Sequence, residues 1–600
     1  MKPITTVHGL DKVGLFINLE DRARAELAER LDPIAVKRGH VLMRQGDEPD
    51  ALYIVVSGRF AVTRDGRRSA ISEVGPDQPI GEIGFLTGAP RTATVSAMRD
   101  SLVLRLGREE FDEFASRHPG IWPALTATLA ERLAKTTAAA APPPDPRPRT
   151  IALIRAGGSQ LPGELVALLT GIFGKAARTL TVAPNDAPGV LGGNGGLGST
   201  EATRRLNALE REYDYVLFVA DPELTHWSEK VISHADLVVA AGMHSADATP
   251  NPLERFASEL LSADARRLVL LHKRRGRVTG TSRWLRGRDV AMHHHVALDG
   301  TADAERLFRF ISGTALGLVT CGGGAFCAAH AGVYKALLEQ GLSFDIMGGT
   351  SGGSALAAAF MLTGSADEID AVLHDMFVTH KAMRRYTLPR YSILDHSNFD
   401  LQLKRIFGGF GIEDLWLPYF AVSTNLSRYT LHIHRQGSLW TAIRASASIP
   451  VLLPPVYTKD GEMLVDGCLL DNVPIRVMHD LKSGPNVVVS FEMPVLERFD
   501  VDYETLPSRG ELLRWAFDPR KRGLLPAAPG LTTVLMRSLM ANRHDFSRNL
   551  GAEDLLLVPP LPADMGLLDW TRHTELVRGS YAWSVDELAR ARTAGHAVFS

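Results

Sequence analysis

The sequence predicts a multidomain α/β protein: a small N-terminal β-barrel with helices, then an α/β domain with a parallel sheet, then a second α/β domain whose C-terminal part is helical. Three observations lead to this prediction. The chain has 600 residues, which is too long for one hydrophobic core. An alanine- and proline-rich segment at residues 136–149 has no apolar periodicity, as in an extended linker. After this segment, buried-strand runs alternate with helix-like stretches.

Residues 1–135 form the first predicted domain. Its short apolar runs are separated by glycine-containing turns, which is typical of a small antiparallel barrel, and helical spacing follows. The predicted strands are Val41–Met43, Ala51–Val56, Arg59–Thr63 and Leu102–Leu106, and the predicted helices are Glu109–Ala115 and Ile121–Lys135.

Residues 150–312 form the second predicted domain, and residues 313–600 form the third. In the second domain, short apolar runs separated by helices predict a parallel sheet that is covered on both faces. These runs are Thr150–Ile154, Thr179–Ala183, Tyr215–Ala220, Leu237–Ala241 and Leu268–Leu271. Another α/β unit begins near Leu316, and the last hundred residues predict mostly helix.

Composition narrows the classes of function. Apolar residues make up 45% and charged residues 22%, as in an ordinary globular protein. The net charge of −2 gives no general attraction to nucleic acid, so we expect no such partner. Three cysteines without framework spacing argue against a secreted disulfide scaffold. We expect a cytoplasmic protein without signal peptide or membrane span, because no apolar run is long enough.

The first motif that could take part in catalysis is Gly-Thr-Ser-Gly-Gly at residues 349–353. A G-x-S-x-G match alone is weak, and a structural glycine turn is the alternative. A strand predicted before the motif and a helix predicted after it favour a nucleophile elbow, in which the glycines permit a tight turn and the serine oxygen is exposed. The strand is predicted at 344–347 and the helix at 354–362. Ser351 is therefore the candidate nucleophile, between Gly349 and Gly353.

A second glycine cluster, Gly322, Gly323 and Gly324, follows another predicted strand. Successive N–H groups on such a loop can bind an oxyanion. Gly322 lies 29 residues before Ser351, the length of one βαβ unit, so we expect both loops at the carboxyl ends of neighbouring parallel strands. A dinucleotide-binding loop is the alternative, but the G-x-G-x-x-G register is missing.

Asp466 ends a short apolar strand and is followed by Gly467. A carboxylate there could accept the proton of Ser351, whereas a turn-forming Asp-Gly is the structural alternative. His479 lies further along the chain and leaves a Ser-Asp-His triad open. We favour the serine–aspartate pair, because the glycine-rich loop belongs to the unit immediately before the elbow.

The glycine loop, the Ser351 elbow and Asp466-Gly467, in this order, resemble the patatin-like phospholipases, in the branch of the neuropathy-target esterases and lysophospholipases. The resemblance extends to residues 214–242, 442–456 and 464–474 (DYVLFVADPELTHWSEKVISHADLVVAAG, AIRASASIPVLLPPV and LVDGCLLDNVP). It implies a Ser351–Asp466 dyad without histidine. It also implies hydrolysis of phospholipid or lysophospholipid acyl esters, hence lipid degradation, with no cofactor for catalysis.

The N-terminal domain has its own signal at residues 81–95, GEIGFL followed by APRTATV. These residues resemble the phosphate-binding cassette of cyclic-nucleotide-binding domains. Arg91 can pair with a cyclic phosphate through its guanidinium, and Glu82 can accept a hydrogen bond from a ribose hydroxyl. Backbone N–H groups near Gly81 complete an anion site. The resemblance implies a cyclic nucleotide, cAMP or cGMP, as regulator, bound by Gly81, Glu82, Arg91 and Thr92.

The oxyanion loop departs from the family at two positions. The family has a basic residue and a glycine where this chain has Phe326 and Cys327. Backbone donors do not depend on the side chain, but a cation that could face an oxyanion or lipid phosphate is lost. This departure leaves open a catalytically weakened or inactive protein that acts as a cyclic-nucleotide sensor.

Peripheral membrane contact is predicted for the C-terminal part. Residues 512–517, LLRWAF, precede Arg520-Lys521-Arg522, and this mixture of aromatic and basic side chains suits a headgroup interface. A helix packed on the catalytic domain is the alternative.

Two further motifs carry weaker signals. Residues 193–200 imitate a phosphate-binding P-loop, but Ser199 stands where the lysine is needed, so we expect a flexible loop. His293, His294 and His295 are consecutive and would alternate between the faces of a strand, so they cannot converge on one ion. We therefore expect no metal site.

Overall fold

A computed structural model describes residues 20–64, 72–119, 121–122, 147–191, 200–491, 499–517, 526, 528–530, 534, 546–562 and 564–599. The chain divides into two compact units, 1–276 with 283–313 and 277–282 with 314–600. Several predicted features fall outside the described residues. They are most of the 136–149 linker and of the helix at 121–135, the P-loop-like residues 193–199 and Arg520–Arg522.

The first unit opens with two four-stranded antiparallel sheets that share an apolar core. Their strand orders are β1-β8-β3-β6 and β2-β7-β4-β5, and Val55 and Phe60 are among the side chains in the shared core. The strands are β1 (Asp32–Val36), β2 (Val41–Met43), β3 (Ala51–Ser57), β4 (Phe60–Thr63), β5 (Ser72–Val74), β6 (Pro79–Ile80), β7 (Thr94–Ala97) and β8 (Ser101–Gly107). The helices are α1 (Asp21–Glu29), α2 (Glu82–Thr87) and α3 (Arg108–Arg117). The predicted β-barrel with helices is confirmed.

A six-stranded parallel sheet of order β10-β11-β9-β12-β13-β14 follows in the same unit. Successive side chains of β9 enter two different cores, Ile151 and Leu153 on one face and Ala152 and Ile154 on the other. Helices therefore cover both faces, as predicted. The strands are β9 (Thr150–Arg155), β10 (Thr179–Val182), β11 (Tyr215–Val219), β12 (Leu237–Met243), β13 (Arg266–His272) and β14 (Met292–Ala297). The helices are α4 (Gly163–Ala176), α5 (Ala187–Leu191), α6 (Thr200–Glu212), α7 (His226–His234), α8 (Pro252–Leu260), α9 (Ser282–Leu285) and α10 (Ala302–Ser312).

The second unit is built on an eight-stranded sheet of order β19-β20-β17-β16-β15-β21-β22, with β18 paired to β17. The strands are β15 (Gly317–Thr320), β16 (Ile346–Thr350), β17 (Tyr419–Asn425), β18 (Thr430–His434), β19 (Val456–Tyr457), β20 (Met463–Asp466), β21 (Asn486–Val489) and β22 (Leu555–Leu557). Thr320 pairs with Gly349 in parallel register, so the glycine loop and the serine elbow leave neighbouring strands at the same edge, as predicted. Strand β20 runs antiparallel to β17.

The helices of this unit are α11 (Ala329–Glu339), α12 (Gly352–Thr363), α13 (Ala366–Leu373) continued by a π-helix (His374–Thr379), α14 (Ser397–Phe407), α15 (Leu439–Ser446), α16 (Ile475–Leu481), α17 (Arg509–Phe517) and α18 (His573–Thr593). Helix α18 packs closely on α11, where a Cβ on Gly332 would come within 2.1 Å of the Val577 carbonyl. The described part of the last hundred residues is largely helical, but it also supplies β22, which the sequence did not predict.

Buried ion pairs join the β-barrel to the parallel-sheet domain within the first unit. Arg99, between β7 and β8, lies 2.5 Å from Glu210 on α6 and 3.2 Å from Asp236 before β12. Asp100 pairs with Lys230 on α7 at 3.2 Å. Burial disfavours ionisation of the Asp236 carboxyl, but the neighbouring Arg99 guanidinium holds the pKa of this carboxyl below its usual range. Arg99 is therefore the central cation of this interface.

We predict that Arg99→Ala lowers the free energy of unfolding by about 3–5 kcal/mol, because two carboxylates then lose their buried cation. Arg178→Ala is the matched control, since Arg178 and Asp214 form an exposed pair at 3.8 Å, and it should cost at most about 1 kcal/mol. Urea unfolding of both variants measures the difference. Equal losses would contradict the role of Arg99.

Candidate functional site

Ser351 occupies a sharp turn between β16 and α12. Its backbone has φ of 54° and ψ of −131°, a left-handed conformation that non-glycine residues rarely adopt. The flanking glycines allow this turn to lie against the neighbouring loop. A Cβ on Gly349 would come within 2.4 Å of the Thr320 carbonyl, and one on Gly353 within 2.3 Å of the Cys321 carbonyl. The turn has the geometry of a nucleophile elbow.

The Ser351 hydroxyl donates a hydrogen bond to Asp466 Oδ2 at 2.6 Å. The Asp466 side chain is fully buried, and its Oδ1 accepts a hydrogen bond from the Cys468 N–H at 2.9 Å. Burial raises the pKa of Asp466 to about 6, against the opposing hydrogen bonds from Ser351 and Cys468. The carboxyl is thus held against the serine and is more basic than an ordinary aspartate.

The three predicted oxyanion glycines follow β15 and approach their surroundings closely. A Cβ on Gly322 would lie 2.9 Å from Ser351 Cβ, and one on Gly324, whose φ is 56°, would lie 2.3 Å from the Leu567 carbonyl. The Gly323 N–H interacts with the Cys327 sulfur, so Gly323 already has a partner within its own loop. Gly324 lines the same pocket as Ser351.

The two residues that depart from the family pattern are both buried. Phe326 is 7% exposed and Cys327 is fully buried. A Cβ on Gly352 would come within 2.8 Å of the Cys327 sulfur, so this thiol packs directly behind the elbow. Burial raises the pKa of the Cys327 thiol, which keeps it neutral. Cys321 and Cys468 are also buried and are not part of a disulfide, which suits the apolar character of a thiol.

An apolar pocket opens at Ser351 in the second unit. The empty space between its walls, including the mouth that is open to solvent, is about 740 Å³. Apart from Ser351, its lining is aliphatic, aromatic or glycine, and helices α12, α13 and α14 supply much of it. The lining includes Leu356, Met376, Phe377, Phe399, Ile443 and Trp570. Such a wall suits a hydrocarbon chain.

Ser446, which the sequence did not single out, supports the elbow from behind. Its Oγ accepts a hydrogen bond from the Ser351 N–H at 2.8 Å and donates to the Val422 carbonyl at 2.6 Å. Two residues later, the Ser448 carbonyl accepts from the Asp466 N–H at 2.9 Å. One short segment thus holds both partners of the serine–aspartate contact. The only hint in the sequence was that residues 442–456 belong to the family resemblance.

The histidines near the motifs are engaged elsewhere. His479 pairs with Asp554 at 2.9 Å rather than with Asp466. His330 bonds the Cys321 carbonyl at 2.9 Å, and burial lowers its pKa to about 4, which keeps it neutral. Among the described residues, the Ser351 hydroxyl and the Asp466 carboxylate bond to each other and to Cys468, and not to a histidine. The geometry therefore favours a two-residue arrangement over the triad with His479.

The residues of the predicted nucleotide cassette lie in the first unit. Gly81, with φ of 82°, precedes α2, and Glu82 in its first turn is buried. The Arg91 guanidinium, also buried, donates to the Gly81 carbonyl at 2.9 Å and to the Ala51 carbonyl at 2.5 Å. It also lies 3.3 Å from Asp50. Thr92 is exposed. Arg91 therefore lies against the start of α2, and the donors of its guanidinium are directed at protein acceptors.

The three consecutive histidines lie in β14. His293 and His295 lie on one face of the strand, and His294 lies on the other. The His295 Nδ1 lies 3.0 Å from His272 Nε2, whereas the ring of His294 packs on Phe310. In the part of the chain that is described, no group of His, Cys, Asp or Glu is arranged to hold a metal ion. The described helices include none with the length and apolar character needed to cross a bilayer.

Three family models match successive parts of the chain. Residues 33–118 match the cyclic nucleotide-binding domain, and residues 197–315 match the Neuropathy Target Esterase family P-loop like domain. Residues 318–479, which contain both the elbow and Asp466, match the patatin-like phospholipase model. The chain carries a patatin-like phospholipase domain. The resemblance that the motifs predicted is confirmed.

Relatives align with the patatin-like domain and the regions before it. Lysophospholipase NTE1 of Coccidioides immitis is 27% identical over 652 residues, 94% of this chain and 41% of the relative. Patatin-like phospholipase domain-containing protein 7 of Rattus norvegicus is 29% identical over 525 residues, 78% of this chain and 39% of the relative. A solved cyclic nucleotide-binding-like protein of Brucella abortus is 26% identical, with a TM-score of 0.18, and covers 19% of this chain and 98% of its own. The chain spans about two fifths of the length of the curated relatives it matches.

We predict that Asp466→Asn stabilises the patatin-like domain near pH 8. The folded pKa of about 6 exceeds the unfolded value of about 3.9, so the native carboxyl binds its proton more tightly than the unfolded one. Stability therefore falls as pH rises from about 4 to 6, by up to about 3 kcal/mol. The amide has no charge to bury and avoids this loss.

Urea unfolding of the parent and of Asp466→Asn at pH 4 and pH 8 measures the effect. The gain from the substitution should be largest at pH 8 and nearly absent at pH 4. His479→Asn is the control, because it alters a half-exposed partner of another carboxylate. A gain that does not depend on pH would contradict a raised pKa for Asp466.

Proposed function

We propose that this chain is a serine esterase that hydrolyses the acyl esters of lysophospholipids or phospholipids. The observation that carries the proposal is the 2.6 Å hydrogen bond from Ser351 to a buried Asp466, at the end of an apolar pocket. A hydroxyl is a weak nucleophile until a base takes its proton. The patatin-like domain and relatives named as lysophospholipases support a lipid substrate.

In the first half of the reaction, Ser351 Oγ bonds to the acyl carbonyl carbon while its proton passes to Asp466 Oδ2. The carbonyl oxygen takes the displaced electron pair and is stabilised by backbone N–H groups of the 322–324 loop. Collapse of this tetrahedral species breaks the ester bond, and the leaving alcohol takes the proton from Asp466. An acyl-serine remains.

In the second half, a water molecule gives its proton to Asp466 and attacks the acyl-serine. Collapse releases the fatty acid and returns the proton to Ser351 Oγ. Asp466 must be ionised at the start of each half. Its pKa of about 6 leaves it ionised near neutral pH, yet more basic than an aspartate in water, which favours proton transfer.

The acyl chain is proposed to occupy the apolar pocket beside Ser351. The pocket wall has no charged residue. A hydrocarbon chain can therefore enter without removing water from a charged group. A phosphate headgroup would find no counter-charge there and would remain outside. This orientation places the ester carbonyl at the serine, between the buried chain and the solvated headgroup.

We predict that a fluorophosphonate labels Ser351, with the modified residue mapped by mass spectrometry. Labelling should be lost in Ser351→Ala and should fall at least about 100-fold in Asp466→Asn, because the base is gone. His479→Ala should label like the parent. The labelling rate of the parent should rise with pH through a midpoint at about pH 6 and level off once Asp466 is fully ionised.

Three outcomes would count against this proposal. Labelling that persists in Ser351→Ala would place the nucleophile elsewhere. Near-complete loss in His479→Ala would favour the triad. A parent protein that neither labels nor hydrolyses lysophosphatidylcholine would favour an inactive sensor, the alternative raised by the departures at Phe326 and Cys327.

The second part of the proposal is that a cyclic nucleotide binds the barrel and regulates the esterase. The cyclic nucleotide-binding family match and the position of Arg91 at the start of α2 support it. Since Arg91 is directed at two carbonyls and Asp50, the phosphate would have to draw its guanidinium away from Asp50. We therefore expect modest affinity.

Calorimetric titration with cAMP and with cGMP tests this binding. Arg91→Glu is a poor probe, because it sets a carboxylate against the Gly81 and Ala51 carbonyls and threatens folding. Arg91→Lys keeps the charge but loses the planar fork, and we predict at least about tenfold weaker binding with little change in unfolding temperature. No heat and no thermal shift with either nucleotide would refute the ligand.

A further inference from the structure

Residues 381–391 of the second unit form a strongly basic loop, called here the 381–391 loop. Its sequence is Lys-Ala-Met-Arg-Arg-Tyr-Thr-Leu-Pro-Arg-Tyr. It carries four basic residues and no acidic one, within a chain whose net charge is −2. All four basic residues are exposed: Lys381, Arg384, Arg385 and Arg390. The loop is therefore a local concentration of positive charge.

The same loop exposes large apolar side chains at its tip. Tyr386 is 80% exposed, Leu388 is 87% exposed and Tyr391 is 74% exposed. The Arg390 guanidinium lies over the Tyr391 ring, 5.5 Å from its centre. Exposed apolar side chains that cluster in one place often mark an interaction surface.

The loop belongs to a short hairpin, in which residues 385–387 pair with residues 393–395. Tyr386 and Leu394 form an antiparallel bridge, and the Thr387 N–H donates to the Ile393 carbonyl at 3.0 Å. The Asp395 N–H donates to the Arg385 carbonyl at 2.8 Å. The exposed side chains are thus presented on a defined backbone.

Both ends of the hairpin are fastened to the wall of the apolar pocket. On one side, the Ala382 N–H donates to the carbonyl of Met376, and Met376 and Met383 both line the pocket. On the other side, the Ile393 N–H donates to the Val451 carbonyl at 2.8 Å. Val451 is two residues from Ile449, which also lines the pocket. The loop is continuous with the acyl-chain site.

We propose that the 381–391 loop is the surface through which this protein contacts an anionic lipid headgroup layer. Basic side chains attract the charged surface, while tyrosine and leucine enter the interface between headgroups and acyl chains. Because the loop joins the pocket wall, docking would bring the pocket to the lipid from which the substrate comes. In that respect the inference rests on the proposed esterase function and deepens it.

This surface differs from the one expected from the sequence. Helix α17 also exposes apolar side chains, with Leu513 50% exposed and Phe517 87% exposed. However, α17 carries Glu511 among its basic residues, and the basic run expected after it lies outside the described residues. None of its residues lines the described pocket at Ser351. Charge and continuity with the site both favour the 381–391 loop, and α17 becomes the matched control.

The test is co-sedimentation with vesicles of phosphatidylcholine, with and without phosphatidylserine, using the 600-residue chain with Ser351→Ala so that no lipid is hydrolysed. We predict that adding Arg384→Ser and Arg385→Ser weakens binding to the anionic vesicles about 25-fold, since each basic residue contributes roughly fivefold. Adding Tyr386→Ser and Leu388→Ser should weaken binding to a similar degree. Leu513→Ser with Phe517→Ser should leave binding unchanged, and high salt should release the parent.

A second measurement separates this inference from the esterase proposal. In the Ser351 background, the loop variants should keep their rate on a short soluble ester such as p-nitrophenyl butyrate and lose hydrolysis of vesicle-bound lysophosphatidylcholine. A protein without esterase activity would refute the proposed function while the sedimentation result still stood. Vesicle binding that survives the loop variants, or that is lost only in the α17 variant, would overturn the proposed surface.

Discussion

The hydrogen bond between Ser351 and Asp466 depends on a backbone conformation that the local sequence alone would not hold. A serine with φ of 54° is strained, and strain of this kind persists only where the surroundings fix it. Ser446 holds the serine N–H, and the Ser448 carbonyl holds the aspartate N–H. The glycines of the elbow and of the 322–324 loop then let the neighbouring segments close around the turn.

Burial connects the chemistry proposed for this site to the substrate proposed for it. The apolar surroundings that suit an acyl chain also remove water from Asp466 and raise the pKa of its carboxyl. A more polar site would leave a weaker base, whereas a site without the serine hydrogen bond would make ionisation harder still. The departures at Phe326 and Cys327 fit the same character, because both side chains are buried and neither adds a charge.

In the first unit, two buried arginines make contacts with acceptors of the protein itself. Arg99 joins two domains through a buried cluster, whereas Arg91 satisfies its donors inside the cassette where a phosphate would bind. Both are buried guanidinium groups, and both need acceptors because an unpaired buried charge is costly. The difference is that Arg91 lies at a helix start with Asp50 exposed beside it, so a competing anion could exchange for that carboxylate.

The sequence by itself determined the fold class, the parallel sheets and the order of the motifs, because burial patterns and glycine spacing are local properties of the chain. It also placed the glycine loop and the elbow at neighbouring strand ends, because their spacing of 29 residues suits one βαβ unit, whose parallel strands end at the same edge of the sheet. Only the tertiary structure decided that Asp466, and not His479, meets Ser351, that Ser446 supports the turn, and that Arg91 faces inward. These contacts join residues distant in the chain, and their distances follow from how the sheet and helices pack rather than from any local pattern.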